Sequence, residues 1–136
     1  MRLASAGGRI AYTPPKAEIW VTGGHVRLQQ VIVNLINNAL DAMEDQQDPV
    51  VTLEVENTTL HVRDTGAGIE PAKVANIFDP FFTTKAPGKG LGLGLSISYN
   101  IVRDFGGTLS AANHPDGGAI FSVTLQPASP IEVAAQ

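Results

Sequence analysis

From His25 onward, apolar residues recur every three or four positions: Leu28, Val31, Ile32, Leu35, Ile36, Ala39, Leu40 and Met43. That spacing lines one face of an α-helix and predicts a helix over 25–44. A second run of the same period, Leu95 to Phe105, predicts another helix, stopped by Gly106 and Gly107. Pro71 is suited to start a short third one, reaching about Ile77. Elsewhere the period is two. Val50 to Val55 and Thr58 to Arg63 alternate, with Glu56 and Asn57 between them, and predict a hairpin. Thr108 to Ala112 and Ala119 to Leu125 flank a turn over 113–118. Shorter strand candidates are Arg9 to Tyr12, stopped by Pro14 and Pro15, and Ile19 to Val21, stopped by Gly23 and Gly24. Six strands and three helices in this mixed order predict a two-layer α/β sandwich, with helices on one face of a mixed, mostly antiparallel sheet. Residues 1–8 read as a linker remnant and 127–136, with Pro127 and Pro130, as a frayed tail, leaving 9–126 as the domain.

Composition narrows the function classes. At 136 residues the chain suits one domain with a sizeable core. It is 43% hydrophobic and 16% charged, a globular rather than a disordered balance. A net charge of −4 argues against nucleic acid as a partner. With no cysteine there is neither a disulfide framework nor a thiolate metal site. No apolar run approaches the ~20 residues that span a bilayer, and Met1 to Gly8 does not read as a signal peptide.

Three polar patterns carry candidate chemistry. The first is a stripe on the first helix: Arg27, Gln30, Asn34, Asn38 and Asp41 share one face. Asparagine costs a helix roughly 0.6 kcal/mol relative to alanine. Asn34, Asn37 and Asn38 in so apolar a helix therefore suggest that carboxamides are wanted, although an ordinary polar face gives the same pattern. Asn38 is the metal candidate, since Mg²⁺ takes oxygen ligands sparsely and completes its shell with phosphates and water. The second is Asp64-Thr65-Gly66-Ala67-Gly68 after a strand. An ionised carboxylate only accepts hydrogen bonds, so Asp64 suits the exocyclic amine of adenine and repels the carbonyl of guanine. The rival reading is an Asx turn closing the strand. The third is the stretch from Phe78 to Leu95. Phe78, Phe81 and Phe82 form an apolar anchor, Thr83 to Lys89 carries Lys85 and Lys89, and Gly88, Gly90, Gly92 and Gly94 run into the second helix. Glycines before a helix N-terminus suit a phosphate, and the whole reads as a flap over a nucleotide. The spacing fits neither the dinucleotide fingerprint nor the Walker motif, because Lys89 is followed by Gly90.

Taken in order, Asn34 to Asn38, Asp64 to Gly68, Phe78 to Lys85 and Gly90 to Leu95 resemble the N, G1, F and G2 boxes of the catalytic ATP-binding domain of bacterial sensor histidine kinases. That domain has the Bergerat fold shared with gyrase and MutL. The resemblance covers about Arg9 to Leu125. The stretches from Asn34 to Met43 and from Gly94 to Gly107 are similar to the nitrogen-regulation and dicarboxylate sensor branch. The resemblance implies ATP and Mg²⁺ as cofactors. It implies Asn38 on the metal, Asn34 and Lys85 toward the phosphates, and Asp64 on the adenine amine. Gly66, Gly68 and Ile69 would shape the base pocket, with Asp41, Phe82, Thr83 and Thr84 along the nucleotide. Gly90, Leu91, Gly92, Leu93, Gly94 and Leu95 would form the lid hinge and helix start.

The resemblance also implies partners. A histidine-bearing dimerisation domain of the same parent would accept the phosphoryl group and a response regulator would act downstream. This domain would be cytoplasmic and without membrane contact of its own, in a parent anchored in the bacterial inner membrane. The acceptor is missing here: His25, His61 and His114 fall in a turn before a helix, a strand and a hairpin turn, and none is followed by an acidic residue. The family often has an acidic residue where this chain has His25. Two rivals stay open. A hydrolytic member of the fold resembles its relatives in placing a glutamate one helical turn before the metal-binding asparagine, where this chain has Asn34. A nucleotide-gated binding module would keep the site without catalysis; an anti-sigma serine kinase is a further alternative.

Overall fold

The architecture comes from a computed structural model, which describes residues 9–13, 15, 19–78 and 93–128. Five strands form one sheet: β1 (Arg9–Thr13), β2 (Val50–Glu56), β3 (Thr59–Arg63), β4 (Thr108–Asn113) and β5 (Ala119–Thr124), in the order β1-β2-β3-β5-β4. Only β1 and β2 are parallel; the other three pairings are antiparallel. A parallel pair needs a crossover, and it is made by α1 (His25–Ala42). The β2–β3 hairpin turns at Asn57, whose φ of 55° is the left-handed conformation asparagine tolerates better than most residues.

The two-residue period sorts the sheet's faces. Val51, Val62, Leu109, Phe121 and Val123 are buried on one face. The other carries Glu54, His61 and Ser122 in one cross-strand row, with His61 Nδ1 and Ser122 Oγ 2.7 Å apart. The helices cover the apolar face. Val31, Leu35, Ile36 and Ala39 of α1 are buried, as are Leu95, Ile101 and Val102 of α2 (Leu93–Asp104). The second layer is therefore a helix pair whose apolar stripes share one core with the sheet.

The two helices run antiparallel. Arg27, near the start of α1, pairs with Asp104 at the end of α2 at 2.8 Å, and its guanidinium lies 5.3 Å from the Phe105 ring centroid. At the other end, Asn34 reaches the first turn of α2. The end of α2 is closed by a Schellman motif: Gly106 N donates to Arg103 O and Gly107 N to Val102 O, both at 2.9 Å, with Gly106 at φ 75°.

Four expectations are corrected. Among the described residues Ile19 to Val21 does not form a sixth strand of the sheet; it makes a single bridge, Val21 with Pro127. That bridge, with Ala128 N donating to Trp20 O and Thr22 N to Gln126 O, ties down 127 and 128, the first residues of the tail that the two prolines had marked as frayed. The short helix after Pro71 is a 3₁₀ helix, Pro71–Asn76. α2 begins at Leu93, so Gly94 lies inside its first turn rather than before it. The remainder of 1–8 and 129–136 lies outside the described residues.

Candidate nucleotide-binding site

Asp64 follows β3 directly and is 2% exposed. Burying a carboxylate needs compensation, and two backbone donors supply it through one oxygen. Gly66 N donates to Oδ1 at 2.8 Å and Ala119 N at 3.2 Å. Asp64 N in turn donates to Ala119 O at 3.0 Å. Among the described residues no protein donor reaches Oδ2, so one carboxylate oxygen is left as an acceptor. Burial pushes the Asp64 carboxyl above its ordinary value, against the opposing pull of these two N–H groups and the Arg63 charge.

The loop after Asp64 is held on two sides. A Cβ on Gly66 would sit 2.4 Å from Ala42 O, so the loop lies directly against the end of α1, and only glycine permits it. There Gln46 Nε2 donates to Thr65 O at 2.8 Å, and Thr65 N points at Met43 Sδ at 3.4 Å. On the other side, Asn113 at the end of β4 clasps Ile69. Its Oδ1 accepts from Ile69 N and its Nδ2 donates to Ile69 O, both at 2.7 Å. Ile69 itself is buried.

The polar stripe of α1 runs from this loop toward α2. Asn34 Nδ2 lies 3.3 Å from Ser98 Oγ and 3.5 Å from Gly94 O, so that end of the stripe faces α2, not solvent. Asn34, Asn38 and Ala42 are successive turns of one face. Because the helices are antiparallel and Asn34 lies opposite Gly94, Asn38 lies about 6 Å further along, past the N-terminus of α2. The partial positive charge of a helix N-terminus therefore lies toward Asn38. Asn38 is half-buried and Asp41 exposed. Leu95 is buried in the shared core, and Leu93 opens α2. Phe78 stacks on Tyr99 of α2 at 5.3 Å between centroids and meets Phe121 edge-on at 6.2 Å. Phe82, Thr83, Thr84, Lys85, Gly90, Leu91 and Gly92 lie outside the described residues, as do Phe81, Gly88 and Lys89.

A buried aspartate on a glycine loop, a carboxamide stripe and a helix N-terminus thus share one side of the α1–α2 layer. Residues 23–129 match the family described as "Histidine kinase-, DNA gyrase B-, and HSP90-like ATPase". The chain belongs to this family, in its sensor histidine kinase branch. It is similar to the C4-dicarboxylate transport sensor protein DctB of Pseudomonas aeruginosa, 41% identical over 121 residues, covering 85% of this chain and 20% of that protein. The two-component sensor PprA of the same species is 46% identical over 127 residues, covering 87% of this chain and 14% of that protein. The chain thus spans about a fifth or less of these relatives.

Solved structures agree with this membership. Full-length ShkA in complex with AMPPNP superposes with a TM-score of 0.75 at 27% identity, over 94% of this chain and 27% of that one. The catalytic domain of histidine kinase ThkA gives 0.71 at 29% identity, over 92% of this chain and 82% of that one. The chain therefore has the fold of these histidine kinase catalytic domains. What sequence reasoning missed in its site is Asn113, 44 residues from its partner Ile69. It was legible only as the first residue of a turn. Gly118 was missed too: at φ 82° its Cβ would meet Asp64 O at 2.1 Å.

Proposed function

We propose that this domain binds Mg·ATP and transfers the γ-phosphoryl group to a histidine on a separate dimerisation domain of a larger sensor protein. The observation that carries it is the antiparallel placement of α1 and α2. It puts Asp64 and its glycine loop at one end of the Asn34–Ala42 face and the N-terminus of α2 at the other. That face is on the order of 12 Å long, so a nucleoside triphosphate laid along it has its base at Asp64 and its phosphates beside Asn38.

The residues present fit such a ligand. Asp64 Oδ2 accepts from the adenine 6-amine, and Gly66 and Gly68 let the flat base approach backbone. The Asn38 carboxamide oxygen is a hard ligand suited to Mg²⁺. Mg²⁺ is held sparsely by protein groups, so phosphate oxygens and water would complete the shell. Bound Mg²⁺ supplies neutralisation of phosphate charge. The chain's own contribution is positioning. The α2 N-terminus and Lys85 orient the γ-phosphoryl group, and an incoming imidazole nitrogen forms the P–N bond as the bond to the bridging oxygen of ADP breaks.

Asn34 favours transfer over hydrolysis. Its amide is turned to Gly94 and Ser98 of α2, and a carboxamide cannot take a proton from water. In this reading the parent is anchored in the bacterial inner membrane with this domain on the cytoplasmic side, and a response regulator receives the phosphoryl group. The test is radiolabelled ATP, given to the chain alone and then with a separately made histidine-bearing dimerisation domain. The expected result is acid-labile, base-stable label on the added domain and little phosphate release by the chain alone. Rapid phosphate release without the partner, at the ~10 s⁻¹ typical of enzymes, overturns it in favour of a hydrolase.

A further inference from the structure

The base pocket has a second wall that the sequence motifs do not contain. The β4–β5 hairpin touches the Asp64–Ile69 loop at both ends. At the first end, Ala119 N donates to Asp64 Oδ1 at 3.2 Å, and Gly118 packs so closely that a Cβ there would lie 2.1 Å from Asp64 O. At the far end the Asn113 carboxamide makes two 2.7 Å hydrogen bonds, accepting from Ile69 N and donating to Ile69 O. In effect the side chain stands in for a neighbouring β-strand: one amide group satisfies both backbone groups of one residue. Its orientation follows from that pairing, because the flipped amide would put donor against donor and acceptor against acceptor. Gly68 lies under the clasp at φ 82°, and a Cβ there would come within 2.8 Å of Asn113 Oδ1. The glycine of the adenine motif is thus also what lets Asn113 reach Ile69.

We propose that Asn113 is a positioning residue for base recognition, holding the loop so that Asp64 Oδ2 meets the adenine amine. The inference rests on the nucleotide reading above and adds to it. Asp64 is fixed by two N–H groups on one oxygen, so its other oxygen is aimed by the loop's path, and Asn113 sets the end of that path. A carboxylate that accepts from adenine and repels guanine discriminates only while it is held in place.

The experiment titrates the full chain and its Asn113→Ala and Asn113→Asp variants with Mg·ATP, Mg·GTP and magnesium tripolyphosphate by calorimetry. Asp is nearly isosteric and keeps the acceptor toward Ile69 N, but it sets a negative oxygen against Ile69 O. Both variants are expected to weaken ATP about 10-fold, the equivalent of the net worth of one or two hydrogen bonds. The ATP-to-GTP preference should fall by a similar factor, while tripolyphosphate, which has no base, stays within about twofold. Equal weakening of all three ligands makes Asn113 merely structural and overturns the inference, as does unchanged base preference in both variants. A wild-type chain that binds no ATP overturns the nucleotide reading itself, and this inference with it.

Discussion

At the scale of single residues, Asp64 holds two opposed roles. Its carboxyl is raised above its ordinary value, chiefly by burial. For a group raised in the folded state, protonation favours the fold: the stabilisation is present below the unfolded-state value and is lost as pH rises through the folded value. Where it is ionised the side chain therefore costs stability, and in the proposed function it is the ionised form that would accept from adenine. Asp64→Asn keeps an oxygen for Gly66 N and Ala119 N but removes the charge. We expect the nucleotide-free variant at pH 8 to melt no lower than the wild type, while ATP affinity falls by about 1.5–3 kcal/mol, the worth of a hydrogen bond to a charged group. Thermal melts with and without Mg·ATP check both halves. In the wild type, ATP affinity should fall as pH is lowered through the raised Asp64 value. For Asn38→Ala, the expected outcome is a loss of Mg²⁺-dependent phosphoryl transfer larger than the loss of adenosine affinity, read by varying Mg²⁺ at fixed nucleotide. The placement of Asp64 at the end of β3, ahead of a glycine loop, was legible because a strand followed by Asp-x-Gly-x-Gly is a local pattern. Asn113 was not, because its partner is 44 residues away and only the fold brings them together.

At the scale of elements, periodicity read the two helices well and their ends less well. α2 starts two residues before the apolar run because Leu93 and Gly94 complete its first turn, and glycine there weakens a pattern that rests on side chains. Its other end was legible from Gly106 and Gly107, and the Schellman bonds show why. Gly106 has φ 75°, and a Cβ there would meet Gln126 Cγ at an unremarkable 3.5 Å. The cost of Gly106→Ala is therefore backbone strain, about 1–2 kcal/mol, seen as a Tm lowered by roughly 3–8 °C. An unchanged Tm would remove the Schellman cap from the account. Ile19 to Val21 looked like a strand because Ile, Trp and Val favour extended backbone. What propensity does not supply is a partner, and among the described residues that short segment pairs its backbone with residues 126–128.

For the whole molecule, the fold class was legible because alternating strands and amphipathic helices leave few ways to bury their apolar faces. The strand order β1-β2-β3-β5-β4 was not. Nothing local tells Arg9–Thr13 to lie parallel to Val50–Glu56 across a crossover helix. That crossover nonetheless builds the site, since it lays α1 between the loop after β3 and the N-terminus of α2. The proposed site is therefore a property of the assembled layers: its base end would belong to the sheet and its phosphate end to the helix pair. The most direct test of this arrangement is a calorimetric titration of the chain with Mg·ATP and, separately, Mg·GTP. The account predicts saturable, Mg²⁺-dependent binding of ATP and at least tenfold weaker binding of GTP, in line with a guanine carbonyl facing a charged acceptor. Superimposable curves for the two nucleotides, or no binding of either, would contradict it.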